Sequence, residues 1–278
     1  MTGKFSLRDA VVLLTGAGSG IGRQLVDELQ RRGAWVVALD VDAAALDELQ
    51  ARLDPRSMTL LADVTDAEAM RQAVADVVRR YGRLDVLIAN AGVERLGAAW
   101  DASAESFEQV IEVNLLGVYR SIKPALEPIF ASGGYILAVS SVASMVPMPL
   151  AVSYSASKAG VEMLMRCLRF EMLGSGASCG VAYLGFVGTP MAERVFALGQ
   201  ARAILRRMPT WLLGVKPVQD PAHVARVIAD GVERRKARLF APFMVGVTYQ
   251  LRGLYSLLDD VFARYVARIG KSRRGEGS

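Results

Sequence analysis

What most limits the fold of this chain is an alternation, over its first 190 residues, of short continuous apolar runs with amphipathic stretches. The runs at 10–14, 34–39, 58–62, 84–89, 135–139 and 180–184 lack the apolar–polar alternation of a half-exposed strand, so each reads as a strand buried on both faces. Between them, 21–32, 43–53, 66–81, 103–129 and 153–173 carry helical patterns. Gly33 stops the first of these, and Asp66 stands near the cap of the third. Right-handed crossovers turn this order into a doubly wound parallel sheet, a Rossmann-like three-layer α/β/α fold. With 278 residues and 52% hydrophobic content, the chain can bury roughly three-quarters of its unfolded surface. No linker or internal repeat divides it, so the expected organisation is one domain over 1–245 and a helical extension over 246–278.

The loop after the first strand reads Thr15-Gly16-Ala17-Gly18-Ser19-Gly20-Ile21-Gly22. Glycines there let backbone approach a pyrophosphate, and the helix N-terminus that follows favours its negative charge. A lone glycine pattern says little, but Asp40 closes the next strand 18 residues after Gly22. A carboxylate at that place can accept bonds from ribose hydroxyls and repels a 2′-phosphate. Ser19 supplies no offsetting cation, so the expected cofactor is NAD rather than NADP. Asp42 is the rival ribose partner, read as a solvated side chain.

A second pattern is Tyr154-Ser-Ala-Ser-Lys158. On a helix these two residues share a face, and an ammonium beside a phenol favours the phenolate. Tyr154 is therefore a candidate general acid/base. Ser141 lies thirteen residues upstream, just past a strand end, where open α/β sheets place ligands. Its neighbour Ser140 should point the opposite way.

Together these residues resemble the short-chain dehydrogenase/reductase family over roughly residues 8–245. The family's Thr-Gly-x-x-x-Gly-x-Gly matches Thr15, Gly16, Gly20 and Gly22; its Asn-Ala-Gly matches Asn90-Ala91-Gly92; its adenine-contacting Asp-Val matches Asp63-Val64. The resemblance implies a catalytic set of Asn114, Ser141, Tyr154 and Lys158, with Asn114 holding a proton-relaying water. It also implies nicotinamide contacts at Val187 and Thr189, and cofactor contacts at Ser19, Ile21, Tyr154 and Lys158. Leu184-Gly185 replaces the family's usual Pro-Gly, and Ala89 a frequent Asn; neither removes a catalytic group. The implied activity is hydride transfer between a nicotinamide and a secondary alcohol or ketone. The alternative is a cofactor-binding sensor or scaffold of the same fold, against which the intact Asn-Ser-Tyr-Lys set argues.

Two apolar segments should border the reacting carbon: 144–150, with Met145 and Met148, and about 190–215, which the resemblance implies is a lid, with Met191, Phe196, Leu198, Ile204, Leu205, Met208, Trp211, Leu212 and Leu213. They suggest a hydrophobic substrate, such as a steroid, retinoid, terpenoid or lipid; packing on each other is the rival reading. The net charge of +5 is uneven: residues 202–278 carry 15 Lys+Arg against 6 Asp+Glu. Leu251, Leu254, Tyr255, Leu258, Phe262, Tyr265 and Ile269 recur at helical spacing, with Arg252, Asp259, Asp260, Arg264 and Arg268 on the opposite side and Lys271, Arg273 and Arg274 following. This amphipathic helix would meet its own domain, a second subunit or, peripherally, an anionic membrane surface. No nucleic-acid recognition motif accompanies the charge. The two cysteines, Cys167 and Cys179, read as buried small hydrophobes without metal or disulfide spacing, and the single histidine, His223, as part of a helix start at Asp220-Pro221. A cytoplasmic homodimer or homotetramer, with no metal, is the expected form.

Overall fold

A computed structural model describes residues 5–197, 218–255 and 264. Seven parallel strands form one sheet in the order β3-β2-β1-β4-β5-β6-β7. They are β1 Val11–Thr15, β2 Trp35–Asp40, β3 Met58–Leu61, β4 Val86–Ala89, β5 Tyr135–Ser141, β6 Ser178–Leu184 and β7 Arg238–Ala241. β1, β4 and β5 are buried along their whole length, as their unbroken apolar sequence requires. Among the described residues the helices are α1 Gly20–Arg31, α2 Ala43–Gln50, α3 Ala67–Tyr81, α4 Ala104–Ile111, α5 Gly117–Ser132, α6 Val152–Glu171, α7 Pro190–Ala197, α8 Pro221–Glu233 and α9 Phe243–Tyr255.

Two cores cover the two faces of the sheet. One is built by α3, α5, α6 and α9 through residues such as Met70, Ile122, Met165 and Tyr249. The other is built by α1, α2 and α8 through Leu25, Leu29, Leu49 and Ile228. Local chemistry sets the element ends. Asp66 caps α3 by accepting from the amides of Glu68 and Ala69, and Asp220 does the same for α8, with Pro221 in its first turn, placing His223 in a helix start.

The structure differs from these expectations, or adds to them, at four places. The single helix over 103–129 is broken into α4 and α5 by a π turn at Glu112–Leu116. β7 follows α8 and was not marked by any apolar run, because it is a four-residue edge strand with Arg238 exposed. Of the two cysteines, Cys179 is buried but Cys167 is exposed, because it falls on the solvent side of α6. Phe186, beyond β6, faces Phe196 of α7 at 5.3 Å between ring centroids, so part of the lid packs on the body. The lid residues Leu198, Ile204, Leu205, Met208, Trp211, Leu212 and Leu213 lie outside the described residues, as do Leu258, Asp259, Asp260, Phe262, Tyr265, Ile269, Arg268, Lys271, Arg273 and Arg274 of the tail.

The strand order reverses between β1 and β4: one crossover runs outward to β2, the other to β5. The loops leaving these two strands diverge, and a crevice opens at their C-terminal ends.

Candidate active site

The crevice is a cavity of about 610 Å³, within the range of ligand sites. At one end it is lined by Gly16, Ser19, Gly20, Ile21, Gly22, Asp40, Asp63 and Val64. Asn90, Ala91, Gly92, Val187 and Thr189 line its middle, with Ser141, Tyr154, Lys158, Met148 and Met191 at the far end. One cavity therefore gathers nearly every residue singled out from sequence. Met145 and Asn114 are exceptions: Met145 packs on the hydrophobic core, past the 3-10 turn Val142–Ser144, and Asn114 is buried behind the cavity wall rather than lining it.

The glycine loop is a close-packed backbone contact. Gly16 adopts a φ of +67°, and a Cβ on Gly22 would stand 1.8 Å from the Gly16 carbonyl oxygen. Only glycine fits at either place. Asn90, past β4, braces the loop from the other side: its Nδ2 donates to the carbonyls of Thr15 at 3.1 Å and Gly16 at 3.0 Å. The Thr15 hydroxyl accepts from the amides of Asn90 and Ala91, each at 3.1 Å. Ser19 is the N-cap residue of α1 but makes no capping bond, and it lines the cavity together with the α1 N-terminus at Gly20–Gly22. That is the donor set a pyrophosphate needs.

Asp40 ends β2 with its carboxylate already partnered. Oδ2 accepts from the Gly18 amide at 2.7 Å; Oδ1 accepts from the amides of Val41 at 2.8 Å and Asp42 at 3.1 Å. A carboxylate has about four lone-pair sites, so one remains for a ribose hydroxyl. Asp42 instead caps α2 through the Ala45 amide, and Asp40 rather than Asp42 lines the cavity.

At the other end, Tyr154 and Lys158 stand one turn apart on α6, with the Lys158 Nζ 5.7 Å from the Tyr154 ring centroid. Burial pulls the Lys158 ammonium down to about 8, and Nζ donates to the Val139 carbonyl at 3.0 Å. Burial pushes the Tyr154 phenol well above its ordinary range; the Glu94 carboxylate adds to this, while a hydrogen bond with Ser141 opposes it. The lowering of Tyr154 by Lys158 expected from sequence is not found: desolvation dominates, and the one opposing effect comes from Ser141. Ser141 Oγ accepts from the Ala143 amide at 3.2 Å, whereas Ser140 Oγ donates to the Lys158 carbonyl; the two serines face apart as alternation requires.

Asn114 is fully buried in the π turn. Its Oδ1 accepts from the Val93 amide at 2.8 Å, and its Nδ2 donates to the Val93 carbonyl at 2.9 Å and to Ser157 Oγ at 3.1 Å. Both amide hydrogens are spent, leaving one Oδ1 lone pair for a further donor. Its direct work is to hold the loop after β4, so that Gly92 lies against Lys158 and Asn114 itself. That same loop carries a group the sequence reasoning missed. Glu94 lines the cavity, and burial pushes its carboxyl up to about 7, with Arg194 pulling the other way. Its one sequence signal is position, a carboxylate two residues after Asn90-Ala91-Gly92 at a strand end.

Comparison with known proteins shows the family. A family model described as short chain dehydrogenase matches residues 10–198. The 3-oxoacyl-(acyl-carrier-protein) reductase of Thermotoga maritima is 33% identical over 230 residues, 80% of this chain and 89% of that protein. The L-fucose dehydrogenase of Bos taurus is 35% identical over 217 residues, 77% of this chain and 80% of that one. A short chain dehydrogenase/reductase from Burkholderia phymatum, solved in complex with NAD, has the same fold: TM-score 0.79 at 24% identity, covering 92% of this chain and 96% of that one. The chain belongs to the short chain dehydrogenase family of oxidoreductases.

Proposed function

We propose that this protein is an NAD-dependent oxidoreductase that interconverts a hydrophobic secondary alcohol and its ketone. The observation that carries the reading is the single cavity that joins the glycine loop and Asp40 to Ser141, Tyr154 and Lys158. The uncapped α1 N-terminus, the Ser19 hydroxyl and the spare lone pair of Asp40 fit a dinucleotide. When bound, the nicotinamide supplies the hydride acceptor or donor. Ser141 holds the substrate oxygen; Tyr154 takes or gives the proton at that oxygen. Lys158 sets the charge beside Tyr154, and Val187 and Thr189 receive the carboxamide end. Met148, Met191, Leu96 and Val113 give the far end an apolar wall, which supports a hydrophobic substrate. A screen of lipophilic secondary alcohols with NAD, followed by absorbance of the reduced nicotinamide, tests the reading; no turnover on any of them would count against it.

The choice of NAD rests on charge. Among the described residues, the cations lining the cavity are Lys158 and Arg194, both away from Asp40. Because Asp40 also holds Gly18, removing its side chain would loosen the loop, so the cleaner variant is Asp40→Asn. It should lower the NAD:NADP ratio of kcat/KM by roughly 10- to 100-fold, about 1.4–2.7 kcal/mol. An unchanged ratio would remove Asp40 from cofactor choice.

Glu94 sets a pH prediction. Its negative charge raises the Tyr154 phenol, so Glu94→Gln should let Tyr154 lose its proton at lower pH. The alkaline rise in alcohol oxidation then moves down, by about one unit or less for a neighbouring charge. A profile that stays in place, measured at saturating NAD, contradicts this coupling.

The exposed Phe107, Tyr119, Met163 and Phe170 on α4, α5 and α6 support a homodimer or homotetramer. The catalytic unit spans 1–245 and the extension 246–278 in this reading. No helix among the described residues is long and apolar enough to cross a membrane.

A further inference from the structure

Glu162 stands on the α6 face that carries Tyr154 and Lys158, at the next four-residue step. Its side chain is only 7% exposed, and the reaction above makes no use of it. A carboxylate this deep persists only when paired and hydrogen-bonded, and its partners come from two directions. Arg252 of α9 donates to Oε1 at 2.7 Å, with Arg166 farther off at 3.8 Å. On the other side, Ser144 Oγ lies 3.2 Å from Oε2 and 2.8 Å from the Ser141 carbonyl oxygen. Ser144 ends the 3-10 turn whose Ala143 amide holds Ser141 Oγ.

The Ser144 hydroxyl has one proton and faces two acceptors. Arg252 neutralises Glu162 and leaves that proton to the shorter bond, which closes the turn. Arg252 is itself fixed: its guanidinium lies 4.3 Å from the Tyr249 ring centroid. Tyr249 in turn packs on Tyr183 of β6 at 5.1 Å and Phe240 of β7 at 5.4 Å.

We propose that Arg252 and Glu162 are a positioning pair, through which helix α9 fixes the turn after β5 and so the direction of the Ser141 hydroxyl. The proposal rests on the reading of Ser141 as the group that holds the substrate oxygen. Neither residue touches the reacting atoms; both act through Ser144.

The test compares Arg252→Met, Arg252→Lys, Ser144→Ala and the Arg252→Met/Ser144→Ala pair in the full chain. Arg252→Met should lower kcat by about ten-fold or more, since a misdirected group of this kind can cost up to about 100-fold. The NAD dissociation constant, read by protein fluorescence, should stay within about two-fold, because no cofactor contact is touched. Arg252→Lys should recover most of the loss. Ser144→Ala should cost a similar factor, and the double variant no more than the worse single one, because both act along one path. Deuterium exchange at amides 142–146 should quicken in Arg252→Met, a readout that needs no turnover. Unchanged kcat, effects that multiply, or unchanged exchange would each overturn the pair. If Arg252→Met does not fold, Arg252→Gln takes its place in every comparison. Should Ser141→Ala keep full turnover, it is the reading of Ser141 that fails, and the exchange result then decides the pair alone.

Discussion

Tyr154→Phe should bind NAD as the parent does and turn over about 10²- to 10⁴-fold more slowly, the range a positioned general acid/base supplies. The substitution removes one oxygen and keeps the ring. Lys158 therefore retains its bond to the Val139 carbonyl, and the glycine loop loses nothing. The NAD dissociation constant should move by less than about three-fold, well under 1 kcal/mol. What disappears is the proton carrier next to Ser141. Burial and the Glu94 charge keep the proton on the Tyr154 phenol to high pH, so the parent's oxidation rate should climb through the alkaline range. The variant's residual rate should lose that climb. Turnover within about ten-fold of the parent, with the alkaline rise intact, would take Tyr154 out of its role.

How much of this was legible in the sequence depended on how local each signal is. The inner strands could be read because Val12, Leu13, Leu14, Leu87 and Ile88 are apolar on both faces, and a continuous apolar run has few other fates. β7 could not be read. Its four residues include exposed Arg238 and half-buried Phe240, and its pairing with β6 is long-range. The π turn at Asn114 was equally hidden, since the helical pattern runs through it and only the side-chain grip on Val93 reveals what the turn is for. The site was legible where chemistry fixes spacing, as in Tyr154 and Lys158 or Gly16 and Gly22. It was not where a role depends on depth. Glu94 looks like any surface carboxylate until the fold closes over it, and Glu162 looks like helix solvent face until Arg252 arrives from 90 residues away. Met145 failed for the related reason that a tight turn reverses which side of the chain meets the cavity.

The deepest dependence on a single atom is at Gly22. An alanine Cβ there would lie 1.8 Å from the Gly16 carbonyl oxygen, 2.8 Å from its carbon and 2.9 Å from Asn90 Nδ2. Two of these are backbone, so no flexible side chain can yield. Gly16 is itself committed to a φ of +67° and tied through Asn90 to β4. Relief must come from moving the α1 N-terminus off the loop, which separates the amides and the Ser19 hydroxyl that a pyrophosphate would share. Overpacking of this kind costs about 3 kcal/mol. Gly22→Ala should therefore weaken NAD binding by about 100-fold or more and lower Tm by roughly 6–12 °C for a domain of this size. Gly97→Ala is the matched control, because its Cβ would meet only Ala102 Cβ, at 3.9 Å; it should leave both quantities near the parent's. If Gly22→Ala bound NAD as the parent does, the close contact between strand end and helix start would have no part in holding the dinucleotide, and the pyrophosphate site would have to be sought elsewhere along the cavity.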